Sequence, residues 1–103
     1  WAAAWGQQDV AGYLGCYAAG YRPPRGESRE QWEASRRERL AAPRHISLRI
    51  GPTTLESLGA TLVRAKFRQY YSSDLVSEVS DKIMVLTLEN GRWRILEERV
   101  AGS

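Results

Sequence analysis

Residues 87–99 read Thr-Leu-Glu-Asn-Gly-Arg-Trp-Arg-Ile-Leu-Glu-Glu-Arg, with Asn90-Gly91 between two runs that alternate in polarity. Asn-Gly favours a two-residue type I′ turn, because both residues tolerate a positive φ. A two-residue loop also fixes the register of the two strands. The predicted partners are Glu89 with Arg92, Leu88 with Trp93, Leu86 with Ile95, Val85 with Leu96, Met84 with Glu97, and Lys82 with Arg99.

A second hairpin is predicted upstream, where Ser73-Asp74 separates two longer alternating runs. With its tip there, Val63 faces Met84, Ala65 faces Lys82, Phe67 faces Ser80 and Gln69 faces Glu78. Both turns then place the same alternate side chains on one face of the sheet. This inward face holds Thr61, Val63, Ala65, Phe67, Gln69, Tyr71, Lys82, Met84, Leu86, Leu88, Trp93, Ile95, Glu97 and Arg99.

Helical segments precede these strands. Asp9 is a predicted N-cap for the second segment. Ser28 and Gln31 fit a capping box for a third helix, which runs to about residues 40–42 and stops before Pro43. From His45 onward the apolar period becomes 2. Helices followed by an antiparallel meander define an α+β fold, in which the helices cover the apolar face of the sheet.

The composition excludes several classes of function. The chain has 103 residues, a net charge of +3, one cysteine and one histidine. The charges are interspersed, whereas a nucleic-acid-binding protein concentrates them on one face. One cysteine and one histidine in different segments make neither a disulfide nor a zinc site. No run approaches the ~20 apolar residues of a membrane span, and no Gly-rich phosphate loop is present. We expect no nucleic-acid partner, metal or cofactor.

The chain begins at Trp1, already inside a helical pattern. We interpret residues 1–103 as a single domain excised from a longer protein. Any targeting segment would then lie upstream.

Polar residues at the far end of the inward face predict a pocket, because burying such groups without partners is costly. Helix cover is expected to thin where the face becomes polar. The expected lining is Tyr17, Gln69, Tyr71, Lys82, Glu97 and Arg99, with Tyr13 or Tyr17 as the roof. The alternative interpretation is that these strand ends project into solvent.

The outward face carries an apolar stripe. The two registers place Leu62, Val85 and Leu96 side by side, with Tyr70 and Ile83 on the same face. Contiguous exposed apolar patches often mark interfaces. We expect a homodimer through this face, with a monomer whose stripe is covered by the parent protein as the alternative.

Several sequence features together carry a resemblance to a known family. They are Trp1-x-x-x-Trp5, Gln8-Asp9-Val10, Tyr13-Leu14, Tyr17, Tyr21-x-Pro23, Ser28-Arg29-x-x-Trp32, Arg36 with Arg39-Leu40, Phe67-Arg68-Gln69-x-Tyr71, and Gly91-Arg92-Trp93 before Glu97-Glu98-Arg99. The chain resembles the nuclear transport factor 2-like (SnoaL-like) superfamily. It is most similar to the C-terminal accessory domain of bacterial cell-envelope proteins that carry L,D-transpeptidase/carboxypeptidase-type domains or tetratricopeptide repeats. The resemblance implies three N-terminal helices packed in a strongly bent antiparallel sheet, a pocket at the open end of this cone, and frequent dimerisation.

The resemblance implies a non-catalytic binding domain of a periplasmic or envelope protein. Its partners would be a small ligand or peptidoglycan fragment and an upstream domain. The alternative is an isomerase or dehydratase in which Glu97 is the base and Tyr71 or Tyr17 holds the substrate oxygen. A dehydratase of this fold would be expected to use histidine and aspartate, and no inward strand position is Asp. Because Lys82 and Arg99 neighbour Glu97 in the predicted register, a structural ion pair is the simpler interpretation.

Overall fold

The computed structural model describes residues 1–101, which fold as three α-helices and a curved five-stranded antiparallel sheet. The helices are α1 (Ala2–Gly6), α2 (Val10–Gly15) and α3 (Arg29–Ala41), with a 3₁₀ turn at Pro24–Gly26. The strands are β1 (Ile46–Ile50), β2 (Thr54–Gly59), β3 (Leu62–Ser73), β4 (Ser77–Glu89) and β5 (Arg92–Val100). The sheet order is β1-β3-β4-β5, and β2 also pairs with β3. The predicted α+β class is therefore confirmed.

The helix caps follow the sequence signals. A carboxylate oxygen of Asp9 accepts a hydrogen bond from the Gly12 amide at 3.0 Å. The Ser28 hydroxyl accepts from the Gln31 amide, and the Gln31 side chain accepts from the Ser28 amide, both at 3.1 Å. These bonds satisfy amides that the first turn of a helix leaves without partners.

The β4–β5 hairpin forms at the predicted turn. Asn90 and Gly91 have φ values of 52° and 77°, as a type I′ turn requires. The register next to the turn is confirmed for three pairs: Glu89 with Arg92, Leu88 with Trp93, and Leu86 with Ile95.

A β-bulge beyond these pairs changes the rest of the register. Val85 faces Glu97, Met84 faces Glu98, Ile83 faces Arg99 and Lys82 faces Val100. The predicted pairs Val85 with Leu96, Met84 with Glu97 and Lys82 with Arg99 are therefore wrong. The segment before the 3₁₀ turn binds the other edge of β5 at this point, because the Leu96 carbonyl accepts from the Arg22 amide at 3.1 Å. Such a bulge adds one residue to one strand and bends it.

The β3–β4 turn is longer than predicted. The Ser73 amide donates to the Val76 carbonyl at 2.8 Å, which places residues 74–76 in the loop. Every cross-strand pair is displaced by two residues, so Val63 faces Leu86 and Phe67 faces Lys82. Asp74 stabilises this loop by accepting from the amides of Arg44 and His45 at 2.8 and 3.3 Å. An even displacement leaves each side chain on its predicted face.

The core lies between the helices and the inward face of the sheet. Its largest fully buried side chains are Trp5, Trp32, Tyr13 and Leu40. Trp93 was predicted to face the helices, but 47% of its surface is exposed. It lies close to the Asn90-Gly91 turn and lines an open apolar groove of about 310 Å³ with residues such as Trp1, Leu55 and Leu86. Trp93 is therefore not a core residue.

The bulge and the longer turn also break up the stripe predicted on the outward face. Leu62 faces Thr87, while Val85 lies between Arg64 and Glu97. Leu62, Val85 and Leu96 are therefore not cross-strand neighbours. All three, with Tyr70 and Ile83, are half-buried.

Candidate functional site: a cationic pocket beside a buried carboxylate

A pocket of about 440 Å³ opens between the 3₁₀ turn, α3, the middle of β4 and the end of β5. Five of its lining side chains are cationic and two are acidic. The formal charge of the lining is thus strongly positive, in a concave site where low-dielectric walls focus the field. The lining residues are Pro24, Arg25, Glu27, Arg36, Arg39, Lys82, Glu98, Arg99 and Val100.

Glu98 is the buried carboxylate of the pocket, with a side chain that is 2% exposed. One oxygen accepts from the Tyr17 hydroxyl at 3.0 Å and lies 3.4 Å from Nη2 of Arg36. The other accepts from Nζ of Lys82 at 3.2 Å. Buried charges persist when they are paired and hydrogen-bonded in this way.

Two tyrosines extend the network into the core. The hydroxyl oxygens of Tyr13 and Tyr17 lie 2.9 Å apart, and Nη1 of Arg36 donates to Tyr13 at 3.1 Å. Nε1 of Trp1 donates to the Tyr17 hydroxyl at 3.1 Å. Burial, and then the negative charge of Glu98, raise the pKa of Tyr17 far above its ordinary value. Both phenols are hydrogen-bonding groups rather than proton donors to solvent near neutral pH.

Lys82 shares the carboxylate with Arg36. Its side chain is 7% exposed, and burial lowers the pKa of its ammonium. The charge of Glu98 raises that pKa, while the charges of Arg36 and Arg39 lower it further. Glu98 is therefore the group that holds these cations close together.

Aromatic rings position the guanidinium groups of α3. The Arg36 guanidinium lies 5.5 Å from the ring centroid of Trp32. The Arg39 guanidinium lies 5.1 Å from the centroid of Trp5 and 5.6 Å from that of Tyr71. Such cation–π contacts hold both cations on the pocket side of the helix.

The structure brings only some of the predicted site residues into the pocket. Lys82 and Arg99 line the pocket, and Tyr17 reaches it through Glu98. Tyr71 and Gln69 are buried, at 4% and 2% exposure, and do not line this pocket.

Glu97 is placed differently. It pairs with Arg22 at 2.8 Å, and its side chain is 44% exposed. The bulge places Glu98, instead of Glu97, opposite inward-facing Met84.

Sequence reasoning missed Glu98 and the contribution of α3. Trp32, Arg36 and Leu40 are spaced four residues apart, which places an arginine on the buried face of the helix. That spacing was the available signal for Arg36. No comparable signal marked Glu98, because an alternating pattern does not reveal a bulge.

Residues 1–101 contain no group of three side chains that could together hold a metal ion. No helix in this range is long and apolar enough to cross a membrane.

Helices packed on the inner face of a curved antiparallel sheet, with a pocket at one end, define an NTF2-like cone. Residues 1–99 match the model of the family described as the Cds6 C-terminal NTF2-like domain. The chain belongs to this family. No curated protein matches the sequence.

Solved structures share the fold. Bd1075 from Bdellovibrio bacteriovorus is 21% identical with a TM-score of 0.87, over 98% of this chain and 36% of that one. The helical cell shape determining protein Pgp2 from Campylobacter jejuni is 18% identical with a TM-score of 0.77, over 94% and 36%. A Shewanella frigidimarina protein whose name proposes a ketosteroid isomerase is 14% identical with a TM-score of 0.71, over 96% and 86%. The chain thus spans about a third of the length of the first two proteins.

Proposed function

We propose that this chain is a non-catalytic accessory domain of a bacterial cell-envelope protein, and that it binds a ligand or partner segment in the cationic pocket. The family is a C-terminal domain by description, and similar domains form about a third of Bd1075 and Pgp2. Pgp2 is described as a cell-shape determinant. A peptidoglycan fragment is accordingly the ligand that we propose, and the periplasm or envelope the compartment.

The observation that carries this proposal is that protein donors hold both oxygens of Glu98. Tyr17, Arg36 and Lys82 all donate to its oxygens. A general base must accept a proton from the substrate, and both oxygens of Glu98 already accept hydrogen bonds from the protein. The cationic groups around it remain suited to binding.

Binding is tested with soluble peptidoglycan fragments and the two lysines of the chain. Lys82 lines the pocket, whereas Lys66 is exposed on β3. We expect the fragments to raise the midpoint of thermal unfolding in a saturable manner, as mass action requires. Lys82→Gln should abolish this shift and Lys66→Gln should retain it. Equal shifts in both variants, or no shift in the wild type, would contradict the proposal.

The alternative is an isomerase or dehydratase that uses the pocket carboxylate. The observation that favours it is the buried contact between Tyr17 and Glu98, since enzymes of this type combine a carboxylate with a hydrogen-bond donor. The carboxylate in question is Glu98, because Glu97 pairs with Arg22 outside the pocket. Turnover of a ketosteroid-like substrate that falls by orders of magnitude in Glu98→Gln, with the fold retained, would replace the binding proposal.

We also propose that two copies associate through the outward face of the sheet. Tyr70, Ile83 and Val85 remain on that face, although they form no continuous stripe with Leu62 and Leu96. Exposed ion pairs such as Arg68 with Asp81 would surround the contact. A two-fold axis would bring the same residues together from both copies.

A further inference from the structure

The 3₁₀ turn at the rim of the pocket holds an arginine in an unfavourable backbone conformation. Arg25 has φ 59° and ψ 24°, in the left-handed region, and Gly26 follows at φ 70°. Glycine adopts this conformation without a steric cost, whereas a long side chain does not. Residues held in this way cluster at binding sites, where the surrounding structure fixes them. Arg25 lines the pocket, so its strained backbone presents a guanidinium to the site.

Three guanidinium groups at the mouth lack ion-pair partners within residues 1–101. They belong to Arg25, Arg39 and Arg99, each of which is exposed. The deeper cations differ, because Arg36 and Lys82 share Glu98. The other carboxylate of the lining is Glu27, which is half-buried. The mouth therefore keeps an excess of positive charge after its own carboxylate is counted.

We propose that Arg25, Arg39 and Arg99 bind a ligand with two or more carboxylate groups, and that Arg25 is a specificity-determining residue for it. This inference rests on the proposed function, since it names the chemistry of the ligand in the same pocket. Guanidinium groups match carboxylates through two parallel hydrogen bonds. Their unbalanced charge at the mouth favours a ligand that carries more than one negative charge.

The test compares glutarate with glutaramide, its neutral isostere, and with inorganic phosphate. Binding to this chain is measured by calorimetry and by thermal unfolding at constant ionic strength, because salt screens exposed charges. We expect glutarate to bind more tightly than phosphate and glutaramide not to bind.

Arg25→Asn is the decisive variant, because asparagine tolerates the left-handed conformation but removes the charge. It should retain the thermal stability of the wild type and weaken glutarate binding about tenfold, as expected for one charge-assisted contact. Arg37→Gln is the matched control. Arg37 lies on α3 and pairs with Glu33 outside the pocket, so this variant should bind glutarate like the wild type.

Several results would overturn the inference. They are binding of glutaramide as tight as that of glutarate, tighter binding of phosphate, or no effect of Arg25→Asn. Two further outcomes distinguish a failure of this inference from a failure of the proposed function. Peptidoglycan fragments that bind equally well with free and amidated carboxyl groups would leave the proposed function standing and remove this inference. Glutarate binding that depends on Arg25, without binding of any peptidoglycan fragment, would support this inference and contradict the proposed function.

Discussion

The Tyr17 hydroxyl lies 3.0 Å from Oε1 of Glu98, although 81 residues separate them in the chain. This contact joins the segment after α2 to the last strand of the sheet. It also couples the aromatic core to the charged pocket, because Tyr13 and Trp1 bond to the same hydroxyl. The pocket and the core therefore form one buried polar network.

Glu98→Gln should destabilise the fold much more than Glu97→Gln. The first change leaves the positive charges of Arg36 and Lys82 buried without a carboxylate, and we expect a loss of about 3–5 kcal/mol in the free energy of unfolding. The second removes an exposed pair with Arg22, and we expect a loss below about 1 kcal/mol. Urea unfolding at pH 7 measures both values.

Lys82→Met serves as the control for this comparison. Added to Glu98→Gln, it removes one of the uncompensated cations and should restore part of the lost stability. Equal effects of the two glutamate variants would contradict the placement of Glu98 in the pocket.

Stability should fall steeply above pH 10. Burial raises the pKa of Tyr13, Tyr17 and Tyr21, so these phenols keep their protons in the folded state while the unfolded chain loses them. The unfolded state then binds fewer protons, and each tyrosine lowers the free energy of unfolding by about 1.4 kcal/mol per pH unit. The lowered pKa of Lys82 acts in the opposite direction, but only up to about pH 10.5.

Tyr21→Phe isolates one of these contributions. The buried Tyr21 hydroxyl has no hydrogen-bond partner among the described residues, so its removal should cost little at pH 7. We expect the variant to unfold with a shallower pH dependence between pH 10 and 11. A Tyr21→Phe variant with the wild-type slope would refute the linkage.

Trp5→Ala and Trp93→Ala should differ in their effect on unfolding. Trp5 is fully buried, so its truncation should cost about 3–5 kcal/mol. Trp93 is 47% exposed, and we expect its truncation to cost less than about 2 kcal/mol. Denaturant unfolding followed by circular dichroism gives both values. A larger loss for Trp93 would show that the groove it lines is closed in solution.

Val85→Glu should dissociate the proposed dimer. Val85 lies on the outward face between Arg64 and Glu97, where a second copy would bury the new charge. Sedimentation at tens of micromolar should give a dimer for the wild type and a monomer for the variant. A wild-type monomer at that concentration counts against the dimer, as does a dimer that the substitution leaves intact.

The alternation of side chains predicted the faces of the sheet better than its exact pairs. The β3–β4 turn is longer than expected, but it displaces Val63 and Phe67 by two residues and so keeps them on the inward face. The bulge adds a single residue, which reverses the faces of Glu97 and Glu98. An alternating pattern predicts the correct face despite a displacement of two residues, but it does not reveal a bulge of one residue.

The face on which a side chain lies was predictable where one strand alone determines it. Lys82 lies on the inward face as predicted, because the displaced β3–β4 register preserves the faces of both strands. The cations of α3 and the 3₁₀ turn depend on how distant segments pack against the sheet. Arg25 in particular owes its position to a local backbone conformation that the dipeptide Arg25-Gly26 does not specify by itself.

The bulge in β5 decides which glutamate enters the pocket. If β5 kept all its residues but paired without the bulge, Leu96 would face Val85 and Glu97 would replace Glu98 opposite Met84. Relatives of this domain could therefore acquire or lose the buried carboxylate through the gain or loss of a bulge, with Glu97 and Glu98 both unchanged in sequence. A glutamate that aligns with Glu98 in such a sequence would be the same residue type but would lie on the opposite face of the sheet.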